Sequence, residues 1–162
     1  MSEDAELQIR EATGDDAAAL SPLLAELGYP TPPDLVRARL EAVAELDGHA
    51  LVATRAGRVV ALATVQQTRY LHRPPDMRLT SLVVSSTERG TGIGRRMMDE
   101  VERRGRAEGC ARVELTSGST RAAAHAFYEH LGYEAQSRRF ARPLGSEPPA
   151  QTGAPRAAPP NG

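Results

Sequence analysis

The stretch with the clearest chemical character runs Leu82-Val83-Val84-Ser85-Ser86-Thr87-Glu88-Arg89-Gly90-Thr91-Gly92-Ile93-Gly94-Arg95-Arg96. An apolar strand leads into three glycines at alternate positions, and a helix opens before the last of them is passed. Glycine permits positive φ and lets a ligand approach bare main-chain amides. The first amides of a helix have no partner inside it, and the helix dipole adds partial positive charge at that end. Together these features make a site for phosphate groups. Arg89, Arg95 and Arg96 add formal charge around it. Two familiar phosphate-binding patterns do not fit. A P-loop needs Gly-Lys-Ser/Thr, whereas Gly94 is followed by Arg95 and Arg96. A dinucleotide fingerprint needs GxGxxG within a βαβ unit, whereas the glycines here are Gly90, Gly92 and Gly94. The bland alternative is a glycine-rich turn without a ligand. Three glycines and three arginines at one strand–helix junction weigh against it.

The elements that must position this junction follow from periodicity. Leu7 to Arg10 alternates apolar and polar, as a half-buried strand does. Thr13, Asp15 and Asp16 offer capping side chains before a helix over 17–27, whose Leu20, Leu23, Leu24 and Leu27 share one face. Gly28-Tyr29-Pro30 ends it. A second helix begins after Thr31 at Pro32-Pro33-Asp34. His49 to Thr54 and Val59 to Tyr70 form a hairpin through the turn at 55–58. Met77 to Val84 reads as a central strand. The glycine turn then opens a helix over about 92–108, followed by a strand over 111–116 and a last helix over 122–131 closed by Gly132. Tyr133 to Leu144 is expected to add one or two final strands. Half of the twelve prolines fall between Pro143 and Pro160. Residues 145–162 are therefore expected to be a flexible tail that buries too little apolar surface to offset its ordering entropy.

At 162 residues, with 40% hydrophobic and 25% charged residues, the chain suits one domain over 1–144. A formal net charge of -1 gives no support for a nucleic-acid partner. No apolar run is long enough for a membrane span, and no secretory signal opens the chain, so a cytoplasmic location without membrane partners is expected. The lone Cys110 is expected to be a buried structural thiol. His49, His72 and His130 have no zinc spacing, and no metal is expected.

The pattern Arg89-x-x-Gly92-x-Gly94 after Leu82-Val83-Val84 closely resembles the acetyl-CoA motif of the GNAT superfamily of N-acetyltransferases. Ala124-His125-Ala126-Phe127-Tyr128-Glu129-His130-Leu131-Gly132-Tyr133 resembles the family's following helix, A-x-x-x-Y-x-x-x-G-(F/Y). Either motif alone is weak; the two at this separation are specific. The resemblance implies an α/β (α+β) fold: a mixed, mostly antiparallel sheet of six to seven strands, flanked by about four helices and splayed at the cofactor cleft. It also implies acetyl-CoA as co-substrate and a homodimer as a reasonable assembly. The run Arg121-x-x-Ala124-His125-x-Phe127-Tyr128, with Arg139-Phe140 beyond, resembles the subgroup that includes aminoalkylphosphonate N-acetyltransferases. That subgroup usually has asparagine where Gly118 stands here.

Carried over residue by residue, the resemblance gives the following site. Amides of Arg89, Gly90, Thr91, Gly92, Ile93, Gly94 and Arg95 would hold the pyrophosphate of CoA. The backbone of Leu82, Val83 and Val84 would pair with the pantetheine arm as an added strand does. Tyr128 would protonate the departing thiolate, a step suited to a phenol of pKa about 10; read on its helix alone it is a core tyrosine. The acceptor, a small-molecule amine or alternatively a protein N-terminus or lysine, would attack the thioester directly in a ternary complex. A non-catalytic acyl-CoA sensor is the contrasting reading. Many relatives carry a glutamate in the strand before the glycine loop, but Met77-Arg78-Leu79-Thr80-Ser81-Leu82 has none. Asp76 is the nearest candidate base; a turn residue at that place, with solvent as base, is the other reading. Arg78 would favour a carboxylate or phosphonate on the acceptor, or else is a solvated strand arginine. Tyr29 sits where the family covers the acceptor side, and could line that pocket.

Overall fold

The computed structural model describes residues 6–117 and 122–145. Contacts divide the chain into two compact units, one ending at Leu115 and the other beginning at Thr116.

The first unit holds five strands: β1 (Gln8–Glu11), β2 (Gly48–Arg55), β3 (Arg58–Thr68), β4 (Asp76–Val84) and β5 (Arg112–Leu115). They form one sheet in the order β1-β2-β3-β4-β5. Its ladders are antiparallel except for β4–β5, which is parallel. A parallel neighbour needs a crossover, and α3 (Ile93–Ala107) provides it. Helices α1 (Ala17–Leu27) and α2 (Pro33–Glu45) fill the β1–β2 connection.

Alternation along the strands sorts the core onto two faces. Ala50, Val52, Leu62 and Val83 pack with Ala17, Leu20 and Leu23 of α1 and Val36 of α2. The intervening residues Leu51, Ala53, Ala61 and Ala63 are also buried and face the other way. On that side α3 packs over β4, β3, β5 and β2. Its buried residues Ile93, Met97, Val101 and Gly105 recur every four positions, with Met98 beside them. Each such apolar side chain contributes about 1.5–3 kcal/mol relative to exposure, which outweighs any single surface ion pair. Polar contacts tie the far end of α3 to the sheet: Arg104 pairs with Glu11 on β1, and His49 on β2 lies 2.8 Å from Glu11 and 2.5 Å from Glu108.

Local signals govern the helix ends. Asp16 accepts from the Thr13 amide at 2.7 Å and from both terminal nitrogens of Arg10. It thereby fixes the entry to α1. At the other end, the Gly28 amide donates to Ala25 O and the Tyr29 amide to Leu24 O, the paired bonds of a Schellman cap.

The second unit contains α4 (Ala122–His130). No strand follows it through Gly145, so the expected final strands over 133–144 do not form. Among the described residues the sheet has five strands instead of six to seven. The physical reason is composition: Phe140 and Leu144 are 90% and 91% exposed, Gln136 to Arg139 form an unbroken polar run, and Pro143 has no amide to donate to a ladder. The tail expected beyond Gly145 lies outside the described residues, as do Gly118 and Arg121.

Candidate functional site

The site begins at a break in the sheet. The β4–β5 ladder runs from Asp76–Arg112 to Leu79–Leu115 and stops there. At the same place the β3–β4 register shifts, because Val65 faces Leu79 while Thr64 faces Ser81, leaving Thr80 as an extra residue. A bulge bends its strand and ends regular pairing. The Thr64 hydroxyl secures it, bonding to the hydroxyls of Ser81 and of Thr80, the latter at 2.7 Å. Beyond the bulge Leu82, Val83 and Val84 pair with Ala63, Leu62 and Ala61 of β3. No strand pairs with them on the β5 side among the described residues. An edge of this kind offers main-chain donors and acceptors to an extended ligand.

The chain leaves this edge into the glycine loop, which is braced from several sides. The Ser85 amide donates to Val60 O at 2.8 Å. Glu26 of α1 accepts from the Ser86 hydroxyl at 2.7 Å and from its amide at 3.3 Å. Arg55, the last residue of β2, pairs with Glu88 at 2.6 Å. The Thr91 hydroxyl donates to Glu88 O, and Arg89 Nε donates to Val84 O at 3.3 Å. Gly90 and Gly92 then take φ of 79° and 82°, the left-handed region that an L side chain resists. A Cβ at either would meet nothing within 4 Å, so the space in front of both is open and backbone geometry is what demands glycine.

Gly92 caps α3 and has no side chain to satisfy its first amides. Those of Ile93, Gly94 and Arg95 precede the first helical bond, from the Arg96 amide to Gly92 O at 3.2 Å. Ile93 is 1% exposed and anchors the turn. Arg89, Arg95 and Arg96 are all exposed, and Arg96 also donates to Leu7 O at 3.3 Å, just before β1. The ten residues expected to bind a cofactor thus form one continuous path, an open strand edge followed by a positively polarised helix mouth. That path suits an extended chain ending in a diphosphate.

The acceptor-side candidates fare differently. Asp76 is fully buried. Arg73 grips both its oxygens at 2.7 and 2.8 Å, Arg112 Nε donates at 3.0 Å, and the Tyr70 hydroxyl lies at 3.4 Å. Arg73 also stacks over the Tyr70 ring at 3.7 Å. The Arg73 guanidinium, and after it Arg112, holds the Asp76 carboxyl below the usual carboxylate range despite burial. A carboxylate so gripped makes a poor proton acceptor and a good anchor for the start of β4. Residue types alone gave no sign of Arg112, 36 positions away. Arg78 bonds to Glu114 of β5 at 3.2 Å, its partner in register. Tyr29 is 39% exposed at the α1–α2 turn. Cys110 is half-buried, with its thiol pushed up by burial and Sγ 3.6 Å from Gln67 Nε2, which suits an inert thiol. A cavity of about 570 Å³ between α1 and the β2–β3 hairpin includes none of the candidate site residues.

Because the Asp76 carboxyl is lowered in the fold, its stabilisation is fully present above the ordinary carboxylate pKa and is lost as pH falls through the lowered one. Asp16 and Glu100 carry the same sign. Asp76→Ala is expected to cost about 2–4 kcal/mol at pH 7, below the full figure for a buried pair because both arginines reach solvent. In thermal melts from pH 7 to pH 3, the gap between the native chain and this variant should narrow below about pH 4. A constant gap would refute the ion-pair account.

In the second unit, Tyr128 lies on α4 with its ring 5.1 Å from that of Phe127 and 5.9 Å from that of Tyr133, both edge-on. The Tyr133 amide donates to Tyr128 O and the Gly132 amide to Glu129 O, each at 3.0 Å, another Schellman cap. The spacing Tyr128-x-x-x-Gly132-Tyr133 is therefore first a helix-ending device, which brings the two tyrosine rings together.

Among the described residues no helix is long and apolar enough to cross a membrane, and no cluster of three or more His, Cys, Asp or Glu side chains could hold a metal ion. Comparison with known proteins gives consistent relatives. An aminoalkylphosphonate N-acetyltransferase of Salmonella typhimurium is 28% identical over 148 residues, 85% of this chain and 91% of that protein. The N-alpha-acetyltransferase 80 of Mus musculus is 35% identical over 75 residues, 46% of this chain but only 23% of that longer protein. An aminoglycoside N-acetyltransferase solved in complex with CoA shares the fold, with a TM-score of 0.77 at 19% identity, covering 89% of this chain and 99% of that one. The family model described as "Acetyltransferase (GNAT) family" matches residues 17–133, from α1 through the glycine loop to the end of the α4 motif. The chain belongs to the GNAT family of acetyltransferases.

Proposed function

We propose that this protein transfers the acetyl group of acetyl-CoA to the primary amine of a small-molecule acceptor by direct attack. The observation that carries the reading is the helix mouth behind Gly90 and Gly92, continuous with the unpaired edge of β4. In this reading the pantetheine arm pairs with Leu82–Val84, and the amides from Arg89 to Arg95 hold the diphosphate, with Arg89 and Arg95 adding charge. The neutral amine attacks the thioester carbonyl, whose oxyanion is met by a main-chain amide of Leu82 or Val84. The carbon–sulfur bond then breaks, and Tyr128 gives its proton to the leaving thiolate. The amine proton passes to solvent, because Asp76 is buried between two guanidiniums. Tyr128 is assigned from the α4 motif.

The Salmonella relative, matched over nearly its whole length, supports a small amine as acceptor. The match to N-alpha-acetyltransferase 80 favours a second reading, an α-amino group of a peptide. Calorimetry with CoA should give saturable heat. Thiol release from acetyl-CoA should then depend on the amine in a panel of amino acids, aminophosphonates, polyamines, aminoglycosides and short peptides. Binding without turnover on any of them would favour a sensor. Absence of CoA binding would overturn the proposal.

A further inference from the structure

The diphosphate loop carries a charge of the wrong sign. Glu88 is the single carboxylate between Ser85 and Arg96, and it directly precedes the amides that would meet the diphosphate. Unpaired, it would repel an incoming phosphate, and its own oxygens could occupy the helix mouth, since such amides attract any nearby anion. In the fold it does neither. Arg55 Nη1 donates to Glu88 Oε2 at 2.6 Å, and the Glu88 side chain is only 13% exposed.

Strand pairing explains how a residue 33 positions upstream reaches the loop. Arg55 closes the β2–β3 hairpin opposite Arg58, while Val84 pairs with Ala61 and the Ser85 amide bonds to Val60 O. The end of β2 and the exit from β4 are thereby brought to the same end of the sheet, on either side of β3.

We infer that Arg55 is a positioning residue for the diphosphate of bound CoA: it neutralises Glu88 and keeps that carboxylate from competing for the loop amides. The inference rests on the proposed function. It assigns to Arg55 a part in cofactor affinity and none in acetyl transfer itself.

The test is calorimetry with CoA on the native chain, Arg55→Ala, Arg55→Lys, Glu88→Gln and the double variant Arg55→Ala/Glu88→Gln, each with its melting temperature. Arg55→Ala should raise the Kd about tenfold, the loss expected when one charge-assisted hydrogen bond gives way to an anionic competitor. Arg55→Lys should recover most of that affinity. The double variant should bind within about twofold of the native chain, because removing the carboxylate removes the competitor. A merely structural brace predicts the opposite, with the double variant as weak as Arg55→Ala, and that result would overturn the inference. So would an unchanged Kd in Arg55→Ala. If Arg55→Ala does not fold, Glu88→Gln decides alone: affinity equal to or better than native supports the charge role, and weaker binding overturns it. A native chain that binds no CoA would instead strike the proposed function on which this role depends.

Discussion

Tyr128→Phe is expected to lower kcat about 10²- to 10⁴-fold while leaving the Kd for CoA within about twofold, the pattern of a lost general acid. Phenylalanine keeps the ring that packs edge-on against Phe127 and Tyr133. The cap of α4 uses the main-chain carbonyl of residue 128, which the substitution does not touch. The melting temperature of the variant, measured beside its rate, separates lost chemistry from lost stability. Single-turnover thiol release with an acceptor found in the amine panel is the measurement. An unchanged rate would remove Tyr128 from the mechanism and leave it as the ring partner of Tyr133.

Gly92→Val is expected to weaken CoA binding at least a hundredfold. The cap residue sits at φ 82° and ψ 6°, where a β-branched side chain is a genuine outlier. Left-handed geometry costs an ordinary residue about 1–2 kcal/mol, and relief comes by turning the cap, which re-aims the amides of Ile93, Gly94 and Arg95. Losing two charge-assisted hydrogen bonds at about 1.5 kcal/mol each already corresponds to more than a hundredfold in Kd. Thermal stability should fall by only about 2–8 °C, given roughly 2–4 °C per kcal/mol for a chain of this size. Asp76→Ala is the matched control. It should lose as much stability or more, yet bind CoA almost normally at a temperature where it is folded. Equal affinity losses in the two variants would mean that general destabilisation, not loop geometry, governs binding.

The sequence by itself determined the features written within a few residues of one another. The ends of α1 and α4 are Schellman caps whose bonds span five residues, and Gly28 and Gly132 announce them. Asp16 fixes the start of α1 through Thr13 and Arg10, three and six positions away. The glycine turn is of the same kind: Gly90 and Gly92 supply the left-handed backbone, and the helix begins at the next residue. That is why the turn and the start of α3 are legible from neighbouring residues alone. Local pattern was weaker where strands end. Tyr133 to Leu144 looked extended enough to pair, but it lacks the apolar alternation that makes a ladder worth its ordering entropy.

Tertiary structure alone decided which groups face one another across the sheet. Asp76 reads as a turn residue or a base until parallel register sets Arg112 beside it and Arg73 folds back over it. The same register sets Glu114 beside Arg78. The bulge at Thr80, which ends the β4–β5 ladder, depends on the pairing of Thr64 and Val65 sixteen and fifteen positions earlier. Arg55 and Glu88 meet only because two strands finish at the same end of the sheet. Such contacts follow from strand register, and a shift of one residue exchanges the two faces of a strand, so no inspection of neighbouring residues could have supplied them.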